Sequence, residues 1–222
     1  MSDILTSEPT ASSVGSAAAS VGGFLEFEKP LLSIQQDVEA MEREQRDTGR
    51  DLSNDIKQQR ARFKATLKRL YSNLTPWETV QVARHPKRPL STDYLSTVFR
   101  DVCELHGDRT FSDDRAILTG FGRIGGHRVM FIGHDKGKDI KQRMACNFGC
   151  AHPEGYRKAL LKMRLAEKYG LPVVCLIDTQ GAYPGIGAEE RGIAFAIATN
   201  LMEMSRLRTP IVSVVIGEGG SG

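Results

Sequence analysis

Two short stretches of this sequence gather the residue types that could handle a developing negative charge: Asp178-Thr179-Gln180-Gly181-Ala182-Tyr183-Pro184-Gly185 and Gly217-Glu218-Gly219-Gly220-Ser221-Gly222. Without a Cβ, glycine lets consecutive backbone N–H groups approach one ligand oxygen and point at it together. Such donors form an oxyanion hole, a contribution worth roughly 3 kcal/mol per donor in acyl and enolate chemistry. Either stretch alone reads as a tight turn; their repetition after successive apolar runs is what points to a site. Neither holds a Ser–His–Asp set, a metal-ligand cluster or a GxxxxGK[ST] run, so nucleophilic, metal-assisted and P-loop mechanisms lack their parts. Gly120-Phe121-Gly122 with Gly125 matches half of a dinucleotide fingerprint and opens no helix.

Other chemically capable residues carry two readings each. Lys136 and Lys138, flanked by glycine, suit anionic phosphates or a partner's carboxylates, or form a solvated basic loop. His106, His127, His134 and His152 read as structural histidines, because none has a carboxylate partner evident at the glycine stretches. Asp178, Glu189, Glu190 and Arg191 read as groups that orient the first stretch or begin the helix after it. Four cysteines, Cys103, Cys146, Cys150 and Cys175, lack zinc spacing and read as free thiols, buried or half-buried, in a reducing compartment.

The elements that must position these residues follow from patterning. Residues 1–22 are rich in Ser, Ala, Gly and Thr and read as a floppy tail. Ile34 to Arg46 and Leu52 to Leu70 predict two charged helices with narrow apolar stripes, joined at Asp47-Thr48-Gly49 as a hairpin. Thr75-Pro76-Trp77-Glu78 starts a third helix, which the Pro-punctuated stretch Arg84 to Pro89 ends. Ser91 to Leu105 predicts one more helix. Ile117 to Ile124 and Arg128 to His134 predict a β-hairpin turning at Gly125-Gly126. Helices over Pro153 to Tyr169 and Ala188 to Leu207 then alternate with apolar strands over Pro172 to Ile177 and Ile211 to Ile216. That alternation predicts an α/β fold with parallel strands covered on both faces and the glycine stretches as loops at the strands' carboxyl ends.

Composition sets outer bounds. With 40% hydrophobic and 26% charged residues, the 222-residue chain suits a globular protein. A net charge of +3 is no nucleic-acid footprint, and neither a membrane span nor a secretory signal is evident, so a cytoplasmic protein is expected.

Several long runs also carry a family likeness. Pro184 to Gly192 (PGIGAEERG), Gly133 to Lys138 (GHDKGK), Asn147-Phe148-Gly149 with Pro153 to Ala159 (PEGYRKA), the closing GEGGSG, the ARHPKRP stretch and Leu105 to Arg109 (LHGDR) resemble the acetyl-CoA carboxylase carboxyltransferase α-subunit family, from about Phe24 to Gly222. Gln180 stands where that pattern has Pro, and Lys138-Asp139-Ile140 where GRDT is usual; loss of the Pro is expected to loosen a turn. The resemblance implies a crotonase-like (ClpP/crotonase) spiral of sheet and helices over 91–222, preceded by a helical extension over 23–90. It implies transfer of a carboxyl group from carboxybiotin, carried on a biotin carboxyl carrier protein, to acetyl-CoA, giving malonyl-CoA for fatty acid synthesis. The implied partners are a zinc-containing β subunit that binds the acyl-CoA, biotin carboxylase, and a second αβ pair in an α2β2 assembly, with no metal in this chain. Mapped here, Gly181, Ala182, Tyr183, Pro184 and Gly185 would line the biotin pocket, and Gly219, Gly220 and Gly222 would donate backbone N–H groups. The family pattern runs on past Gly222, so this chain alone is expected to be inactive and to expose apolar sheet edge. Two other classes remain: a CoA-thioester hydratase or isomerase, and a non-catalytic scaffold whose glycines are only turns.

Overall fold

The computed structural model describes residues 23–221; the expected tail over 1–22 and the donor Gly222 lie outside them. The chain divides at His85/Pro86 into two compact units.

In the first unit, α1 (Lys29–Thr48) and α2 (Ser53–Tyr71) form the expected hairpin. Their stripes are as narrow as the pattern implies: α1 buries Leu31 and Ile34, and α2 buries no residue fully. Polar contacts supplement the packing. Arg60 pairs with Glu42 across the hairpin at 2.7 Å, and the Tyr71 hydroxyl donates to Glu28 Oε1 at 2.6 Å. Helix α3 (Pro76–Ala83) starts with a complete capping box: Thr75 Oγ1 accepts from the Glu78 N–H, and Glu78 accepts from the Thr75 N–H at 2.7 Å.

The second unit is built on a five-stranded mixed sheet in the order β1 (Arg100–Glu104), β2 (Ile117–Ile124), β3 (His127–His134), β4 (Val173–Gly181), β5 (Ile211–Ser221). β1, β2 and β3 pair antiparallel, with the turn at Gly125-Gly126, while β3, β4 and β5 run parallel. Alternation along β3 serves two cores. Met130 and Ile132 pack with Ala159, Met163 and Ala166 of α6 (Pro153–Lys168), which follows the short α5 (Ile140–Ala145), whereas Val129 and Phe131 join Leu95 and Phe99, beside α4 (Ser91–Thr97). Period-two patterning with both faces apolar is what a central strand requires.

Four expectations need correction. The helix over Ser91 to Leu105 stops at Thr97, and Arg100–Glu104 is an edge strand. Phe99 still reaches the core, but the open edge of β2 offers the following backbone a ladder; Gly120 permits the approach, since a Cβ there would lie 2.7 Å from Phe131 Cζ and inside contact of the Cys103 carbonyl. The helix over Ala188 to Leu207 is two, α7 (Ile186–Glu190) and α8 (Ile193–Met204), because Gly192 sits at φ +77 between them. The strands reach further than their apolar runs: β4 continues to Gly181 and β5 to Ser221, so the second glycine stretch is strand and not turn, and Gln180 lies in a strand too. Finally, β5 is not covered on both faces, with Val212, Val214 and Val215 exposed.

Phe131 is fully buried and meets the Phe99 ring edge-on at 5.7 Å. Phe131→Ala is expected to destabilise the sheet unit by about 3–5 kcal/mol, read as a lowered urea midpoint with unchanged slope.

Candidate functional site

The two glycine stretches meet. Extension of β4 and β5 sets Thr179 opposite Gly219 and Gly181 opposite Ser221, so both segments occupy one end of the sheet, the carboxyl end of the parallel strands. Between Ile177/Val215 and Thr179/Gly219 the register shifts: β4 advances by one intervening residue, Asp178, while β5 advances by three. That bulge is where Arg88, Lys136, Asp178 and Glu218 converge.

Asp178 has a side chain 1% exposed, and its Oδ1 accepts from Arg88 Nη2 at 2.6 Å. Lys136 Nζ lies 3.3 Å from the same oxygen and also pairs with Glu218. The Glu218 backbone N–H donates to Asp178 Oδ1 at 3.2 Å. A Cβ at Gly217 would lie 2.5 Å from both Asp178 Oδ1 and Arg88 Cζ, so the ion pair passes directly over that glycine. On the other side, the Asp178 N–H donates to His134 Nδ1 at 3.3 Å, and burial pushes the His134 pKa down, favouring the neutral ring that such an acceptor requires.

The first glycine stretch is tied to the loop before α6. Thr179 Oγ1 donates to the Gly149 carbonyl at 2.7 Å, and the Tyr183 N–H donates to the Ala151 carbonyl at 3.0 Å. The Tyr183 ring packs on His152, centroids 4.1 Å apart, and its other neighbour is Gly185, where a Cβ would run into the ring. Arg191 shares a hydrogen bond with His152 Nδ1 at 3.2 Å and pairs with the buried Glu154 at the start of α6. Asn147 and Phe148 hold left-handed backbone at φ +48 and +55, a strain of order 1–3 kcal/mol each that the surrounding contacts must offset.

The LHGDR stretch is held from below by α6. Lys158, 2% exposed, donates to the carbonyls of Ile117 at 2.7 Å and Asp114 at 3.1 Å and pairs with Asp113 at 2.6 Å. One turn on, Lys162 donates to the Gly107 carbonyl at 3.1 Å. Arg157 Nε donates to Asp108 Oδ2 at 2.8 Å, and Arg191 lies over the Phe111 ring at 4.8 Å. Burial works against the Asp108 carboxylate, but N–H groups of Phe111 and Thr110 and the Arg157 guanidinium outweigh it and hold the pKa below the ordinary value.

Of the residues singled out from the sequence, Gly181 lies in the ladder opposite the second glycine stretch, while Tyr183 turns to Ala151 and His152 and packs against Gly185. Lys136 pairs with Asp178 and Glu218, and Lys138 pairs with Asp93. Asp178 lies in a strand and its carboxylate accepts from the backbone of the second glycine stretch, at Glu218, where the sequence suggested a role in its own stretch or in the helix after it. The Cys146 thiol is pushed up to about 12 by burial and the Asp135 carboxylate, and Cys175 to about 11 by burial, so both stay protonated; Cys103, against expectation, is exposed. Sequence reading missed Arg88, Arg157, Glu154, Lys158 and Lys162. Lys158 and Lys162, four residues apart among Ala159 and Met163, were the detectable signal: two cations on a helix face that also carries apolar side chains. Hollows of about 510 Å³ beside Phe121 and Tyr169 and about 530 Å³ beside Cys146 and Asp135 include no glycine-stretch residue in their walls. No group of three or more His, Cys, Asp or Glu among the described residues is placed to hold a metal, and among them no helix is long and apolar enough to cross a membrane.

Residues 24–222 match the family model described as acetyl co-enzyme A carboxylase carboxyltransferase-like. The acetyl-coenzyme A carboxylase carboxyl transferase subunit alpha of Rhodopirellula baltica is 54% identical over 201 residues, which are 90% of this chain and 63% of that protein. Its counterpart in Burkholderia multivorans is 53% identical over 199 residues, 90% of this chain and 62% of that protein. The chain thus spans less than two thirds of the length of these relatives. Among solved structures, transcarboxylase 12S with methylmalonyl-coenzyme A and methylmalonic acid bound overlaps 58% of this chain and 23% of its own, at 22% identity and a TM-score of 0.48.

The depressed Asp108 pKa has a direction that can be measured. Its stabilising contribution is present above the unfolded value, near 3.8, and is lost as pH falls through the lower folded value. Asp108→Asn is expected to lower Tm at pH 7 and to flatten its fall as pH drops below the unfolded carboxyl value near 3.8; a melting series on both proteins reads this, and parallel curves would remove Asp108 from the acid response.

Proposed function

Because this chain belongs to the acetyl-CoA carboxylase carboxyltransferase-like family, we propose that it forms the carboxyl-donor side of an acetyl-CoA carboxylase carboxyltransferase, whose full-length form moves a carboxyl group from carboxybiotin to acetyl-CoA. Malonyl-CoA for fatty acid synthesis is the product. The crotonase-like spiral belongs to the same reading, as do a zinc-containing β subunit holding the acyl-CoA, the biotin carboxyl carrier protein, biotin carboxylase, an α2β2 assembly and a cytoplasmic setting.

The observation that carries the site assignment is Gly219. The chain's own packing accounts for glycine at 217, under the Arg88–Asp178 pair, and at 220, where a Cβ would run into the Gln180 backbone. At Gly219 the nearest described atoms to a Cβ are those of Val215 at 3.8 and 3.9 Å, so the fold has room for a methyl group there, and the position is exposed. Glycine at 219 suits a ligand that comes close to the backbone.

Carboxybiotin, when bound, supplies the carboxyl group and a ureido oxygen that gains negative charge as the group departs. The N–H groups of Gly219, Gly220 and Gly222 are assigned as the donors for that oxygen; because consecutive N–H groups of an extended strand point to opposite sides, Gly219 and Gly220 fall in opposite sets, and one set faces the oxygen as fixed donors that need no reorganisation. Gly181, Ala182, Tyr183, Pro184 and Gly185 are assigned to the pocket wall, with Tyr183 held rigid between His152 and Gly185. The paired state of Lys136 and Lys138 gives their proposed contact with CoA phosphates or a partner's carboxylates little support.

Gly219→Ala in the full-length protein, assayed with the zinc-containing partner, separates a ligand contact from a turn. Unchanged Tm with kcat for transfer lowered about 100-fold is expected, the effect of a displaced oxyanion donor; turnover at the parent rate would remove Gly219 from the pocket. Gly220→Ala is expected to lower Tm as well.

A further inference from the structure

We propose that Arg88, Lys136, Asp178 and Glu218 form a positioning device that sets the register of the Gly219–Ser221 segment against Thr179–Gly181, and through it the rate of carboxyl transfer; the proposal rests on the pocket reading given above. Three observations carry it. The four side chains come from four separate parts of the unit, and their exposures are 12, 15, 1 and 18% in chain order. They meet at the single place where the β4–β5 ladder breaks step, and there the Asp178 carboxylate replaces a ladder carbonyl as the acceptor for the Glu218 N–H. Every residue of β5 beyond that point inherits its pairing partner from the bulge.

The third observation concerns how the carboxylate is used. Arg88, Lys136 and the Glu218 N–H all converge on Oδ1, while Oδ2 is buried with no hydrogen-bond partner among the described residues. A buried acceptor left unpaired is costly, and replacing a buried ion cluster by packed apolar groups is often neutral or stabilising. Stability alone is therefore a poor reason to keep Asp178. Its placement fits a requirement on geometry: one oxygen anchored from both sides fixes where Glu218, and with it Gly219, begins its run along β4. Lys136 adds a second tether, because it holds Asp178 and the Glu218 side chain at once.

The test uses the full-length protein assembled with its zinc-containing partner, and compares Asp178→Asn, Lys136→Met, Lys136→Arg and Gly219→Ala. Lys136→Met leaves the Arg88–Asp178 pair in place and so guards against a folding defect in Asp178→Asn. For Lys136→Met the expected result is kcat lowered at least tenfold, with KM for acetyl-CoA within twofold and assembly intact, and recovery to within threefold of the parent in Lys136→Arg. Asp178→Asn is expected to lose more. Hydrogen exchange should rise at least tenfold in a peptide covering 215–222 and stay unchanged over 153–168. If Gly219→Ala is crippled while Lys136→Met and Asp178→Asn turn over normally, the positioning proposal is overturned and the pocket reading stands. A normal rate in Gly219→Ala overturns the pocket reading itself, and the exchange data then report a register device without a role in transfer.

Discussion

A carboxylate at the point where two parallel strands fall out of step is the constraint on which this structure depends. Asp178 cannot be solvated where it lies, so its charge must be met from within the protein, and the groups that meet it come from the loop before α4, the loop after β3 and the backbone of β5. Each of those segments gives up freedom to do so. Gly217 must lack a side chain, and His134 must stay neutral enough to accept the Asp178 N–H. The ends of three strands are thereby tied into one body, at the edge where a parallel sheet collects ligands.

A second layer of buried charge does comparable work behind the first. Lys158 and Lys162 reach through the apolar face of α6 to backbone carbonyls of the 105–117 region, which has no regular secondary structure from Leu105 to Ala116 to satisfy those carbonyls otherwise. Arg157, Arg191 and Glu154 carry the connection onward to His152 and Tyr183. Tyr183, in the first glycine stretch, is thus fixed by a chain of paired charges, while Phe148, in the turn before α6, is half exposed on left-handed backbone. Rigidity on one side of the site and stored strain on another are both features of sites that must be held in shape before a ligand arrives.

Much of this was legible in the letters, and the failures have specific causes. The Gly125-Gly126 hairpin, the Thr75 capping box, the α1–α2 hairpin and α6 come within a few residues of their sequence boundaries, because each is specified by local chemistry: turn glycines, an N-cap, an apolar stripe. The helix read through Leu105 failed because Val98, Phe99 and Val102 satisfy a helical period as well as a strand beside an open edge, and only the neighbour decides between them. The helix read through Gly192 failed because apolar residues resume on the far side of the break. The glycine stretch after Ile216 was read as a turn since glycine is poor in strands; pairing with Thr179 and Gly181 overrode that preference.

By itself, then, the sequence determined which segments would be helix or strand wherever the decision was local, the α/β class, and that the two glycine stretches would share one end of a sheet. It also carried the family likeness, in runs long enough to be read without coordinates. What only the tertiary structure decided was the electrostatic framework: Arg88 and Asp178 are 90 residues apart, Lys136 and Glu218 are 82 apart, and nothing in the spacing of either pair announces it. Charged residues carry no periodic signature when they pair across such separations, because their partners are chosen by the burial that folding creates and not by neighbours along the chain.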